Sequence, residues 1–139
     1  PRWLTPTVNQ LADTIMRRIN NGAAVNSINL TALCLLSAER ETLTKDELVA
    51  QVGAYIALQK AVPYSADIHL PEGEFDPESY WQHALSMDKF EVQEDSAGPV
   101  VSLDHGQALS MTYYRNNILH AFIIPALIAG YGRGIRPLA

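Results

Sequence analysis

The sequence predicts a mainly helical protein with one small β-hairpin: a helical bundle with a winged-helix-like centre. Three observations carry that prediction. Apolar residues recur at helical spacing along most of the chain. Two short segments of strand character, "KFEVQED" and "PVVSL", flank the turn "DSAG". Helices two to four run directly into that hairpin, and a further helix follows it. The 139 residues are 47% apolar and 18% charged, enough for one domain with a real core, or for part of a larger protein. Residues 24–103 form the expected winged-helix-like core, residues 104–130 a long C-terminal helix, and residues 131–139 an atypical tail.

The first helix is expected from Thr5-Pro6, with Thr5 as N-cap and Pro6 at the first helical position, where no needed N–H is lost. Val8, Leu11, Ile15 and Ile19 give it one apolar face. Arg17 and Arg18 suit the negative end of its dipole, and "NNG" at residues 20–22 supplies a stop. The second helix, Ala24 to Ser37, contains "INLTALCLLSA", which is apolar nearly all round and so belongs at the centre. "ERET" ends it. The third opens on a capping box, Thr44 with Glu47 three residues on, and buries Leu48, Val52, Tyr55 and Ile56. It stops near Val62-Pro63. "PYSADIHLPEGEFD" reads as a mobile, acidic loop. Asp76-Pro77 then caps a short helix through Met87. In the hairpin, Phe90 and Val92 alternate with Glu91 and Gln93. Asp104 and Gln107 form another capping pair, opening a helix through Ala129 that Pro125 should kink.

Charge narrows the partners. The net charge is −5 and the pI about 5.2, the wrong sign for a chain whose main partner is a nucleic-acid backbone. In a DNA-binding winged helix the helix before the hairpin enters the major groove. Here that helix, "PESYWQHALSM", has no Lys or Arg and carries Glu78, while the wing adds Glu94 and Asp95. Such a surface suits packing against protein; a stand-alone winged-helix interaction or DNA-binding module is the rival reading. The run "ILHAFIIPALIAGYG" is shorter than a membrane span and contains His120 and Pro125. A core helix is the favoured reading, with Arg133 and Arg136 as the only suggestion of peripheral contact with an anionic lipid surface. "PRWLTPTVNQ" has no Met, no basic segment and no long apolar run, so it is not a signal peptide; it reads as a stretch of a longer chain.

Candidate sites are few. Tyr113, Tyr114, Arg115, Asn116, Asn117 and His120 make the densest polar-aromatic cluster, with Tyr113, Asn116, Asn117 and His120 on one helical face. Such a face can satisfy buried polar groups between helices, the favoured role, or line a ligand site. His69 and His105 have no His or Cys partner at a ligand spacing, so no metal is expected. No cofactor motif is present: "GYGRG" follows a helix and opens none, unlike a dinucleotide-binding loop. Cys34, the only cysteine, sits in an apolar run and reads as a buried small hydrophobe. His83 and Asp88 match the H-x4-D spacing of glycerolipid acyltransferases. With four histidines and seven aspartates one such spacing arises easily by chance. Five positions on one helix also turn about 140° away from coincidence. His83 and Asp88 are therefore disfavoured as a catalytic pair.

Several blocks together, "RINNGAAVNSINLTALCLLSAER", "VPYS", "DKFEVQED", "VSLD" and above all "MTYYRNNILHAF", resemble bacterial glycerol-3-phosphate 1-O-acyltransferases over roughly residues 5 to 129. The resemblance places the chain in the region C-terminal to the acyltransferase domain. It implies a parent enzyme, peripheral on the cytoplasmic face of the bacterial inner membrane. That enzyme would move an acyl group from acyl-CoA or acyl-carrier protein to glycerol 3-phosphate, giving lysophosphatidic acid for phospholipid synthesis. It also implies that the catalytic histidine and aspartate and the phosphate-binding arginines lie outside these residues, so the fragment alone is expected to be inactive. The catalytic domain is the implied partner. Apolar surface on the first or last helix is expected to be left uncovered, and to be covered by self-association when the fragment is isolated. The tail after "PALIA" departs from the resemblance.

Overall fold

A computed structural model describes residues 1–96, 98–103 and 106–134. It is mainly α, with a small antiparallel sheet. In chain order the helices are α1 (Leu4–Asn21), α2 (Ser27–Ser37), α3 (Lys45–Ala61), α4 (Pro77–Ser86), α5 (Ala108–Leu119) and α6 (Ile123–Gly134). The strands are β1 (Thr42–Thr44), β2 (Glu91–Asp95) and β3 (Gly98–Ser102), in the order β1-β3-β2. The central strand β3 sets Val101 opposite Leu43 on one side and Val92 on the other.

α2 is the axis of the core. Its residues Asn29 to Leu35 are all buried, as expected of a helix apolar on every side. α3 lays Leu48, Val52 and Ile56 against it, α4 adds Tyr80 and Trp81, and α5 adds Met111 and Ile118. Val101 of β3 closes the sheet side. Each such side chain contributes about 1.5–3 kcal/mol of burial. Two buried polar groups meet inside: the Thr31 hydroxyl bonds the Tyr80 hydroxyl and also donates to the Ser27 carbonyl at 2.7 Å.

Local chemistry accounts for most boundaries. The Thr44–Glu47 capping box is complete and starts α3. Asp76 caps α4, accepting from the N–H groups of Glu78 and Ser79 at 3.3 Å, with Pro77 at the first position. Other boundaries differ from the sequence expectation. α1 begins at Leu4, with Trp3 rather than Thr5 at its cap and no side-chain cap bond. α2 begins at Ser27, not Ala24, because Asn26 takes the cap and accepts from Asn29 N–H at 3.1 Å. Ala24 instead bridges to His69: Val25 N–H donates to the His69 carbonyl at 2.8 Å, and His69 N–H to the Ala23 carbonyl at 3.0 Å.

That bridge ties down the loop expected to be mobile. Ser65 Oγ donates to the Asn21 carbonyl at 2.6 Å, and Lys60 Nζ to the Gly73 carbonyl at 2.5 Å. Phe75 lies on Gly53 of α3, where an added Cβ would meet its ring at 3.1 Å. Every residue of β2 is exposed, so the alternation in "KFEVQED" marks an open edge strand, with Val92 38% accessible.

The expected kinked C-terminal helix is two helices. The chain breaks at residues 120–122, before Pro125, not at it. Ala121 and Phe122 N–H groups bond three residues back, to Ile118 and Leu119, tightening and ending α5. Pro125 then falls in the first turn of α6, where its missing N–H costs nothing. α6 also runs through Gly134, into the stretch set apart as a tail. The proposed cap residue Asp104 lies outside the described residues; Gln107 stands at the cap of α5 without a side-chain bond.

Candidate functional site: a carboxamide groove beside an uncovered helix

α1 buries none of its residues. Leu4, Val8, Leu11, Ile15 and Ile19 form its apolar stripe, and Leu11 and Ile19 are 59% and 60% accessible. The helix is held mainly by its end. The Asn21 carbonyl accepts from Ser65, and the Asn20 carbonyl lies 2.9 Å from His120 Nε2. The His120 ring stands edge-on to Tyr64, with centroids 4.9 Å apart.

Where α1 ends, a groove of about 550 Å³ opens between three segments. Met16, Ile19 and Asn20 form one wall, Asn26 and Asn29 the floor, and Tyr114, Asn116 and Asn117 the other wall. Part of this carboxamide set is already oriented. Asn29 Nδ2 donates to the Ala24 carbonyl at 3.0 Å, and the Asn116 oxygen accepts from Arg115 Nε and Nη2 at 3.2 and 3.1 Å. Tyr114 packs partly on the core and meets Tyr113 edge-on, with ring centres 5.8 Å apart. Tyr113 itself is 67% exposed. The sequence-predicted polar cluster thus divides. Tyr114, Asn116 and Asn117 line the groove, His120 anchors α1 from the far end of α5, and Tyr113 faces solvent. A carboxamide both donates and accepts without charge, so the groove matches neutral polar groups such as a peptide backbone.

A second groove, of about 530 Å³ and mostly apolar, runs between α2, α3 and α6. Leu33, Tyr55, Leu58 and Phe122 form its base, and Ile123 and Leu127 its rim. Tyr55 and Phe122 pack edge to face at 5.0 Å. Burial raises the Tyr55 hydroxyl pKa, with the nearby Cys34 adding to it. Outward from this groove Ile124, Leu127, Ile128 and Tyr131 of α6 are all exposed. No described helix is long and apolar enough to cross a membrane.

His83 and Asp88 do not meet. α4 ends at Ser86, and Asp88 follows with φ 50°, a left-handed turn into β2 that aspartate tolerates. The one ion pair among the described residues joins Lys45 and Glu78 at 2.6 Å, so His83 and Asp88 lie beyond pairing distance. His83 borders a shallow cleft with Glu74, Asp76 and Tyr80. His69 is exposed and enters the fold through its backbone. Cys34 is fully buried, and desolvation pushes its thiol up to about 12, far from a nucleophile's range. His105 and Arg136 lie outside the described residues, and Arg133 falls in the last turn of α6.

Three participants were not singled out by sequence. Gln59 is fully buried and joins α3 to the α5–α6 break: its Nε2 donates to the Ala121 carbonyl at 2.8 Å, and its Oε1 accepts from Tyr64 N–H at 3.0 Å. Its position one turn beyond Ile56 on the buried stripe was the available signal. Asn26 and Asn29 were read only as part of a helix start, and their place on the groove floor depends on the bridge to His69.

The family model described as the glycerol-3-phosphate acyltransferase C-terminal region matches residues 1–132. The chain is also similar to the glycerol-3-phosphate acyltransferase of Aeromonas hydrophila subsp. hydrophila, 53% identical over 129 residues. That match covers 93% of this chain and 16% of the relative, so the chain spans about one sixth of the relative's length.

Proposed function

Because the chain belongs to the glycerol-3-phosphate acyltransferase C-terminal region family, we propose that it is a non-catalytic part of such an enzyme and docks against the catalytic domain. In this reading the whole enzyme transfers an acyl group from acyl-CoA or acyl-carrier protein to glycerol 3-phosphate. The product, lysophosphatidic acid, feeds phospholipid synthesis, and the enzyme works at the cytoplasmic face of the bacterial inner membrane. The central helices and sheet act as a winged-helix-like scaffold; the order α2-β1-α3-α4-β2-β3 supports that description. Its role is packing, since the helix before the hairpin carries Glu78 and the edge strand carries Glu91, Glu94 and Asp95, all exposed.

The observation that carries the docking role is α1: eighteen residues of amphipathic helix with an apolar stripe and nothing buried. A helix of this kind gains its stability from a partner surface. The test is acyl transfer by the 139-residue chain alone, supplied with glycerol 3-phosphate and palmitoyl-CoA. No lysophosphatidic acid should form. Sustained turnover by the isolated chain overturns the non-catalytic role.

A further inference from the structure

We infer that the apolar stripe of α1 and the carboxamide groove at its end are one continuous docking face, and that its occupant is protein: the acyltransferase part of the same polypeptide. The inference rests on the proposed function above and names the surface that function uses.

The two features share residues. Met16 and Ile19 belong to α1 and also form a wall of the groove. Advancing about 100° per residue, Leu4, Leu11, Ile15, Val8 and Ile19 sweep one side of the helix, with Asn9 and Asn20 along the edge beyond Met16. That edge continues into Asn26, Asn116 and Asn117 across the groove. The face is therefore an apolar seam with a neutral, hydrogen-bonding margin. Protein interfaces have this make-up: an apolar centre and a rim that forms directional hydrogen bonds.

A lipid surface asks for something else. An interfacial helix carries Lys and Arg along its polar margin to meet anionic headgroups. Here the groove side of the seam is carboxamide, a single cation, Arg18, borders the opposite side about 20° from Leu11, Arg17 lies about 160° from Ile15 at the stripe's centre, and Arg115 is turned onto Asn116. Carboxamides give no attraction to phosphate comparable with a cation, but they match backbone N–H and C=O groups on a partner.

The size of the missing partner fits. The Aeromonas relative is about six times as long as the matched stretch, which is 16% of it. α1 is exposed from Leu4 to Ile19, and a seam of this size exceeds the lone apolar residues ordinary on a monomer's surface. The end of α1 is nonetheless fixed to the scaffold through Asn20, Asn21 and His120. A helix anchored at one end and bare along its side presents a pre-ordered face, which lowers the entropic cost of association.

The experiment is site-specific photo-crosslinking in full-length acyltransferase carrying these residues, in native membrane vesicles. p-Benzoyl-phenylalanine replaces, one at a time, Leu11 on the seam, Asn117 in the groove, Arg17 on the opposite side of α1, and Leu127 on α6. Adducts are identified by mass spectrometry. The inference expects Leu11 and Asn117 to crosslink to peptides of the acyltransferase part, with Arg17 giving far less. Lipid adducts at Leu11 overturn it in favour of a membrane-facing helix. Crosslinks from Leu11 to a second copy overturn it in favour of an oligomer interface. Crosslinks to the acyltransferase part from Leu127 but not from Leu11 or Asn117 overturn the face chosen while leaving the docking role standing. No crosslink to that part from any position brings down the docking role as well.

Discussion

Gln59 is the residue whose loss the core should feel most beyond simple cavity effects. Its amide serves two backbone groups from distant segments, the Ala121 carbonyl and the Tyr64 N–H, with its own surface fully buried. Gln59→Leu keeps the volume roughly, strands the Ala121 carbonyl away from water and leaves the Tyr64 N–H of a part-exposed residue without its partner. The expected cost is about 1–3 kcal/mol for each orphaned group that cannot find solvent, read as a lower urea midpoint with an unchanged slope. Leu109→Ala, at a position 84% exposed, serves as the control and should shift stability by less than about 0.5 kcal/mol. Equal midpoints for Gln59→Leu and the wild type would show that Gln59 is replaceable packing. The burial of Gln59 was legible: it continues the Leu48, Val52, Ile56 stripe of α3 by one turn. Its partners were not, because Ala121 lies 62 residues away and is reached only after α5 breaks. His120 shows the same division. Helical spacing put it on a face with Tyr113, Asn116 and Asn117, while its contacts, the Asn20 carbonyl and the Tyr64 ring, come from elements that periodicity does not locate.

At the scale of elements, two of the signals confined to a few neighbouring residues held, whereas Thr5-Pro6 did not cap α1. The Thr44–Glu47 box and the Asp76-Pro77 cap are complete within four residues of sequence, and both form as written. β1 was not legible, because "TLT" is three residues long and becomes a strand only by pairing with β3 some 58 positions on, Leu43 against Val101. The C-terminal break was half legible. Pro125 announced an interruption, but what proline excludes is the helical bond to the carbonyl four residues back, that of Ala121, so the break falls at 120–122, where Gln59 takes that carbonyl and the buried Phe122 fixes the chain. The capping box carries a pH prediction. Bonds from the Thr44 N–H and then its hydroxyl hold the Glu47 carboxyl below its ordinary value of 4.5. A carboxyl lowered in the folded state contributes stability that is whole above the unfolded value and lost as pH falls through the lowered one. Wild type should therefore lose stability below about pH 4.5 relative to Glu47→Gln, whose amide keeps a hydrogen bond but does not titrate. Urea midpoints from pH 6 down to about 3 give the difference curve. A flat difference across that range would detach the box from the acid response.

At the scale of the whole molecule, two uncovered helices flank a well-filled core. α2, α3, α4 and α5 bury their apolar faces against one another, whereas α1 exposes its whole stripe and α6 exposes Ile124, Leu127, Ile128 and Tyr131. The amphipathic pattern of α1 was plain in the sequence; that no described residue covers it was expected only through the family resemblance, since periodicity names a face without naming its partner. A chain with such faces should associate with itself in isolation. Sedimentation velocity of the 139-residue chain should show a mass that rises with concentration. Leu11→Asp with Ile15→Asp should weaken that association by about tenfold or more, some 1.4 kcal/mol. The urea midpoint should hardly move, because α1 contributes no buried residue to the core. Salt separates the forces at work. The chain carries a net charge of −5, so copies repel one another at low ionic strength. Apolar association then strengthens as salt screens that repulsion, whereas association through ion pairs weakens. A strictly monomeric chain at high concentration and high salt would mean that the exposed stripes of α1 and α6 are compatible with water as they stand, and would remove the main reason to assign them a partner.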